Sequence, residues 1–190
     1  MQMTELRDGR GRKYLTRRER QAFFRVALTL PAEDAGFCLV LLLTGCRISE
    51  ALRLKPVHVD HSEGVLTFET LKRRRAGVFR STPVPRSLLK LLPVRPVDQR
   101  LWAFSRPTAY RLIKGVMRQA GIKGTQACPK GLRHGFGVAC VEASIPLTTI
   151  STWMGHANIR TTAIYLNVVG EEERRLARRL WSGFRLDTLT

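Results

Sequence analysis

The longest apolar stretch of this chain is GFCLVLLLTG, from Gly36 to Gly45. It is too short to cross a bilayer, and Arg47 follows almost at once. Because Pro31 precedes the stretch and Gly45 ends it, the pattern predicts a helix that begins after the proline and stops near Thr44. A chain of 190 residues is long enough to bury such a helix in one domain, so no membrane-spanning segment is predicted.

Helical patterns dominate the rest of the sequence. Further helices are predicted at 16–28, 47–54, 86–92, 107–120, 130–143, 145–155, 158–168 and 171–181. Only GVLTFET (64–70) and VFRSTPVP (78–85) alternate as strands do, and LKRRRAG (71–77) between them is expected to form an exposed basic turn. The predicted fold class is therefore mainly α with a small antiparallel β-sheet.

The chain is strongly basic. It has 33 Lys and Arg against 15 Asp and Glu, a formal net charge of +18, which favours a polyanionic partner and nucleic acid above all. The start, MQMTELRDGRGRKYL, has no apolar core of a secretion signal, so a cytoplasmic location is expected. The four cysteines form no CxxC pair and are expected to be reduced thiols, without disulfides or zinc.

Several polar segments follow one another in a defined order. They are TGCRISEAL with Arg47, the basic turn with Lys72, KGLRHGF with Lys130, Arg133 and His134, MGH with His156, and finally Tyr165. Taken singly, each has an ordinary explanation. Arg47 would pair with Glu50, and Tyr165 would be a core residue with its hydroxyl at the wet edge. The order of the whole set is what points to a function.

This ordered set resembles the catalytic domain of the tyrosine recombinase or phage integrase family, which shares its chemistry with type IB topoisomerases. The resemblance spans about Leu15 to Val168, and MGH stands where that family has LGH. It implies the DNA breaking-rejoining fold for residues 15–170, after a basic arm at 1–14 and before a C-terminal helix and tail at 171–190. The chain is similar to short bacterial recombinases that invert fimbrial promoters or reside on mobile elements, and a domain of a longer protein is the open alternative.

The resemblance also implies roles for the polar residues. A phenol with a pKa near ~10 is a poor nucleophile until its proton is removed and the phosphate is polarised. Arg47 and Arg133 are expected to clamp the phosphate oxygens together with His156. Lys72 is expected to protonate the departing 5′ oxygen and Tyr165 to become joined to the 3′ phosphate. No metal or other cofactor is implied, and the pair His58 and His61 is not expected to bind one.

Lys130 departs from the family pattern, because most members have histidine there, whereas type IB topoisomerases have lysine. It is expected to be a catalytic phosphate ligand or proton donor, and a surface lysine that merely touches DNA is the alternative. His134 and Glu50 are expected to support the site from behind, although His134 could equally be a core histidine. Contacts to the DNA backbone are predicted for four arginines, namely Arg73, Arg74, Arg75 and Arg80.

The expected partner is double-stranded DNA with specific recombination sites, bound by a homotetramer on synapsed DNA. The sequence does not decide whether the protein is a monomer in solution or whether accessory DNA-bending proteins take part. Within the same resemblance, the alternatives are a type IB topoisomerase-like relaxing enzyme and a DNA-binding regulator that no longer cleaves. A basic membrane-surface or RNA-binding module would explain the charge but not the ordered residues. The C-terminal helix is expected to dock through Leu176, Leu180 and Trp181 on a neighbouring subunit or on its own core.

Overall fold

The computed structural model describes residues 6–9, 11–70 and 77–166, together with 174, 177 and 178. Its helices are Arg17–Ala27 (α1), Ala32–Thr44 (α2), Ile48–Ala51 (α3), Arg86–Leu89 (α4), Arg106–Gln119 (α5), Pro129–Glu142 (α6), Leu147–Met154 (α7) and Arg160–Ala163 (α8). Its strands are Arg7–Asp8 (β1), Gly11–Arg12 (β2), Val59–Asp60 (β3), Val65–Glu69 (β4) and Phe79–Pro83 (β5), and Pro56–His58 and Ile164–Leu166 are 3-10 turns. The predicted mainly helical class with a small antiparallel sheet is confirmed.

Helix α1 begins where the sequence signals predict. The Thr16 hydroxyl accepts a hydrogen bond from the backbone N–H of Glu19 at 3.3 Å, and the Glu19 carboxylate accepts one from the backbone N–H of Thr16 at 2.8 Å. This reciprocal capping box satisfies two backbone donors that the first turn of a helix leaves unpaired. It also fixes the chain direction after Leu15, whose side chain is buried.

Helix α2 lies at the centre of the larger hydrophobic core. All six residues from Phe37 to Leu42 are buried, and α1, α3, α4 and α6 pack around the helix. A helix that is apolar on every side has to be surrounded in this way. The apolar stretch thus becomes a core helix, and among the described residues no helix has both the length and the apolarity that a bilayer crossing requires.

The sheet packs one face against this core. Its strand order is β3-β4-β5, all antiparallel, with Phe68 of β4 opposite Arg80 of β5. Leu66 and Phe68 are buried on alternate positions of β4. The two longer strands agree with the sequence prediction, whereas β3 was not predicted because two residues are too few to show an alternation. The predicted basic turn lies largely at 71–76, outside the described residues.

A second, smaller hydrophobic cluster lies beside α6. It joins buried residues of α6 to residues from both ends of the described chain, and its members are Leu6, Tyr14, Phe136, Val138, Cys140, Ile150, Met154 and Tyr165. Strands β1 and β2 pair as a hairpin between the first two of these residues. The described part of the predicted basic arm is therefore folded onto the domain, in the same cluster as Tyr165.

Candidate active site

Arg47 immediately precedes α3, and its side chain pairs with a buried carboxylate of that helix. The Glu50 side chain accepts hydrogen bonds from the Arg47 guanidinium at 2.6 Å and from the Arg47 backbone N–H at 2.8 Å. Burial by itself would raise the pKa of Glu50, but the nearby Arg80 and Arg47 outweigh it and hold that pKa below its usual value. Glu50 is therefore charged and enclosed, while the Arg47 side chain stays 23% exposed.

Arg133 ties together the ends of two helices from its place on α6. Its guanidinium donates to the carbonyl of Gly45, just after α2, and to that of Met154, the last residue of α7, both at 2.7 Å. Burial and then the charge of Arg47 lower the pKa of Arg133 to about 10, so it is still cationic at neutral pH. Two arginines with interacting positive charges form a position suited to an anion.

His156 follows the left-handed turn at Gly155, which ends α7 with a φ of 63°. Its Nδ1 lies 2.7 Å from the hydroxyl of Thr162, and its ring stacks on Tyr165 with centroids 6.3 Å apart. Burial, then the charges of Arg133 and Arg47, lower the pKa of His156 to about 3, so the ring is neutral. With Nδ1 engaged, Nε2 is the nitrogen left for a ligand. Thr162 was not predicted, and the only signal for it was its place between His156 and Tyr165.

Tyr165 lies in an enclosed cradle rather than at the surface. The residue is 1% exposed, and its hydroxyl is 3.2 Å from Nδ1 of His134. Its ring packs directly on the backbone of α6 at Gly137, where an added Cβ would come within 2.5 Å of a ring carbon. Burial raises the pKa of Tyr165 to about 12, although Arg133 opposes the shift. The phenol is therefore protonated, and its hydrogen-bonding partner is a histidine.

That partner, His134, is itself half-buried next to cations. Burial, followed by the charges of Lys130 and Arg133, lowers the pKa of His134 to about 4. The imidazole is neutral at pH 7 and carries a lone pair that can accept a proton. His134 was predicted to support the site from behind, and the structure places it in direct contact with the tyrosine hydroxyl.

The remaining predicted site residues fall into three groups. Lys130 is exposed in the first turn of α6, one turn before Arg133. Lys72 and the three arginines that follow it, Arg73, Arg74 and Arg75, lie outside the described residues. The predicted DNA contact of Arg80 is wrong, because its side chain is 4% exposed and pairs with Glu50 at 2.6 Å. The alternating strand pattern gave no indication of this, since both faces of β5 carry polar residues.

His58 and His61 lie on either side of β3. His58 Nδ1 accepts a hydrogen bond from the backbone N–H of Lys55 at 3.0 Å. Within the described ranges, no three His, Cys, Asp or Glu side chains are grouped closely enough to hold a metal ion.

Comparison with known proteins points to one family. The model of the phage integrase family matches residues 13–172. The chain is 30% identical to the tyrosine recombinase XerA of Pyrococcus furiosus, over 88% of this chain and 61% of that protein. It is 31% identical to the type 1 fimbriae regulatory protein FimE of Escherichia coli K12, over 81% of this chain and 85% of that protein. The chain thus spans about three fifths of the length of the XerA relative.

Solved structures of low sequence identity share the fold. The crystal structure of XerA recombinase superposes with a TM-score of 0.74 at 23% identity, covering 90% of this chain and 65% of that one. The structure of XerH recombinase bound to its difH substrate has a TM-score of 0.72 at 18% identity, covering 89% of this chain and 54% of that one. The catalytic domain of bacteriophage HP1 integrase has a TM-score of 0.66 at 20% identity, covering 87% of this chain and 93% of that one.

Proposed function

Because this chain belongs to the phage integrase family, we propose that it is a site-specific DNA recombinase that cleaves and rejoins strands through Tyr165. One observation carries the proposal. Four residues that are far apart in sequence converge: Arg47 at the start of α3, Arg133 from α6, His156 from the turn after α7, and Tyr165 from the last described 3-10 turn. Two cations, a neutral imidazole and a phenol are the groups that attack on a phosphodiester requires.

The proposed step joins the phenolic oxygen of Tyr165 to phosphorus and breaks the bond from phosphorus to the 5′ oxygen. Arg47 and Arg133 offset the charge that grows on the nonbridging oxygens, and Nε2 of His156 donates a hydrogen bond to them. The phenol loses its proton to a neutral base as it moves toward the phosphate, and the proposed acceptor is His134, whose Nδ1 lies 3.2 Å from the hydroxyl before that movement. Lys72 supplies the proton to the departing 5′ oxygen. The phosphotyrosyl ester keeps the energy of the broken bond, so another 5′ hydroxyl reverses the step.

Cleavage also requires a movement. A phosphate cannot reach a hydroxyl whose residue is 1% exposed and whose ring rests on the backbone at Gly137. DNA binding therefore has to shift the 3-10 turn at Ile164–Leu166 so that Tyr165 leaves its cradle. Arg133, which is held by two carbonyls, stays in place during this movement.

The proposed partner is double-stranded DNA with specific recombination sites, and several of the similar structures are complexes with DNA. Each tyrosine forms one ester, and exchange between two duplexes breaks four strands, so we propose a homotetramer on synapsed DNA, aided where needed by DNA-bending proteins. The names of the relatives do not favour a topoisomerase-like relaxing enzyme. The complete residue set argues against a regulator that has lost cleavage.

Lys130 is proposed to take part in catalysis in place of the usual histidine. Arg133 follows it three residues later on the same face of α6, so both side chains can contact one phosphate. Lys130→Ala should lower the single-turnover cleavage rate about tenfold at saturating DNA, and Lys130→His should recover part of the loss. A parental rate in the alanine variant would reduce Lys130 to a backbone contact.

The proposed function is tested with suicide DNA substrates, whose nick lets the 5′ fragment escape after cleavage. The parent protein should form a covalent complex that resists denaturing electrophoresis. Tyr165→Phe should bind the same DNA and form none. Failure of the parent protein on every candidate site, or a normal covalent yield from the phenylalanine variant, would contradict the proposal.

A further inference from the structure

Arg80 is a buried cation that the proposed mechanism does not use. It lies on β5, and its side chain, 4% exposed, is surrounded by acceptors. The guanidinium donates to Glu50 at 2.6 Å, to the carbonyl of Trp153 at 2.8 Å and to the hydroxyl of Thr70 at 3.2 Å. Removing a guanidinium from water is costly, so a set of three acceptors is what allows it to remain there.

Every one of these contacts belongs to a segment that carries a proposed catalytic residue. Glu50 also holds Arg47. Trp153 lies three residues before His156, in the last turn of α7. Thr70 is the last described residue before the basic turn that contains Lys72.

The turn in front of His156 rests directly on Arg80. At Gly155 an added Cβ would lie 2.9 Å from Cδ of Arg80 and 3.0 Å from its guanidinium carbon. The φ of 63° at this position also favours glycine. The guanidinium therefore fixes the position of this turn, and it also holds the Glu50 carboxylate that binds Arg47.

Glu50 is divided between two arginines. Its Oε1 accepts from the side chain of Arg47 at 2.6 Å. Its Oε2 accepts from the side chain of Arg80 at 2.6 Å and from the backbone N–H of Arg47 at 2.8 Å. While Arg80 occupies Oε2, the side chain of Arg47 reaches the carboxylate through one nitrogen only. Its other guanidinium N–H groups have no hydrogen-bonding partner within the described part of the chain. Without Arg80, the acceptor position that it fills on Oε2 would be open to the side chain of Arg47, whose planar fork could then engage both carboxylate oxygens, the geometry that arginine and carboxylate prefer.

We propose that Arg80 is a positioning residue of the strand-cleavage site: by occupying one oxygen of Glu50 and supporting the turn at Gly155, it keeps Arg47 directed toward the scissile phosphate and His156 in register, without touching DNA. This inference rests on the proposed function. It gives Arg80 a role in the rate of the chemical step and none in affinity for DNA.

The test compares Arg80→Met and Arg80→Lys by single-turnover cleavage of a suicide duplex at saturating DNA, with the folded fraction measured by circular dichroism. Arg80→Met should cleave about 100-fold more slowly, a loss typical of misplaced charge stabilisation, while its Kd for DNA stays within about threefold of the parent value. Arg80→Lys keeps the ion pair with Glu50 but loses the wider fork of the guanidinium. It should therefore fold normally, and its cleavage rate should be about tenfold lower than that of the parent.

A second substitution separates positioning from mere stability. In the double variant with Glu50→Gln, the neutral amide no longer draws in Arg47, so cleavage should recover about tenfold over Arg80→Met alone. Arg20→Met is the matched control, because Arg20 likewise pairs with one carboxylate, Glu142 at 2.5 Å, and with two backbone carbonyls, yet it contacts neither Glu50 nor the turn at Gly155. Its folded fraction should cleave at nearly the parental rate.

Several outcomes would overturn the inference. They are a parental rate in Arg80→Met or Arg80→Lys, a lack of recovery in the double variant, and an equal loss of rate in folded Arg20→Met. If the parent protein forms no covalent complex at all, the proposed function fails and this inference fails with it. If the parent cleaves and the Arg80 variants cleave equally well, the inference alone fails.

Discussion

At the scale of single residues, the phenol of Tyr165 shows how burial sets both reactivity and stability. Its pKa, raised to about 12, lies above the ordinary value near 10 that it regains on unfolding. A raised folded pKa means that the contribution to stability is complete below about pH 10 and is lost as pH rises toward 12. The same enclosure that stabilises the resting protein thus keeps the nucleophile protonated until DNA is bound.

This gives a prediction for alkaline pH. The difference in free energy of unfolding between the parent protein and Tyr165→Phe should be constant from pH 7 to about 10 and then shift against the parent by up to about 3 kcal/mol. Denaturant unfolding at a series of pH values measures it. Because all other groups are common to both proteins, a difference that stays flat up to pH 12 would show that Tyr165 titrates normally.

Residue identities were predicted more securely than their surroundings. The order of Arg47, Arg133, His156 and Tyr165 along the chain was enough to identify a candidate site. The exposure of the side chains could not be predicted in this way, because a linear pattern does not show that Tyr165 is enclosed or that Arg80 is turned inward to Glu50. Such facts depend on packing between segments that are distant in sequence.

At the scale of secondary-structure elements, α6 contains the cradle of Tyr165, and Gly137 is the glycine of this helix that allows it. Gly137→Ala should lower the free energy of unfolding by about 1–3 kcal/mol, since the new Cβ would lie within 2.5 Å of a ring carbon. Gly115 in α5 is the matched control, because an added Cβ there meets nothing within 4 Å. Gly115→Ala should therefore stabilise the protein by about 0.5–1 kcal/mol.

The ring is the reason for the expected loss, so removing it should remove most of the effect. In a Tyr165→Ala background, Gly137→Ala should cost far less than in the parent protein, as a double-mutant cycle by thermal unfolding would measure. If Gly137→Ala lowers the free energy of unfolding equally in the parent protein and in Tyr165→Ala, then contact with the ring is not the reason for glycine at position 137.

Elements with strong local signals were predicted almost to the residue. Thr16 predicted the start of α1, and Pro31 and Gly45 bounded α2, because caps and breakers act through neighbouring backbone. Strand β3 and the β1–β2 hairpin were not predicted. Each has strands of two residues that exist only through pairing with a partner, which local propensity does not record.

At the scale of the whole molecule, the net charge of +18 predicts binding to DNA that weakens steeply with salt. The logarithm of affinity should fall linearly with the logarithm of salt concentration. Replacing Arg74 and Arg75 by alanine should flatten that slope by about 1.8 if each residue neutralises one phosphate. Arg80→Met, which removes a buried charge, should leave the slope unchanged. Titrations at several salt concentrations would check both, and a slope altered by Arg80→Met would contradict the internal role of that residue.

The central claim is that Tyr165 becomes joined to a 3′ phosphate, and the most direct measurement is the chemical identity of that link. The covalent complex formed on a suicide duplex is digested with nuclease and protease, and the peptide that retains a nucleotide is sequenced by mass spectrometry. The peptide containing Tyr165 should carry the nucleotide through its 3′ phosphate, leaving a free 5′ hydroxyl on the other fragment. A link through Tyr14, Tyr110 or a serine, or through a 5′ phosphate, would contradict the account.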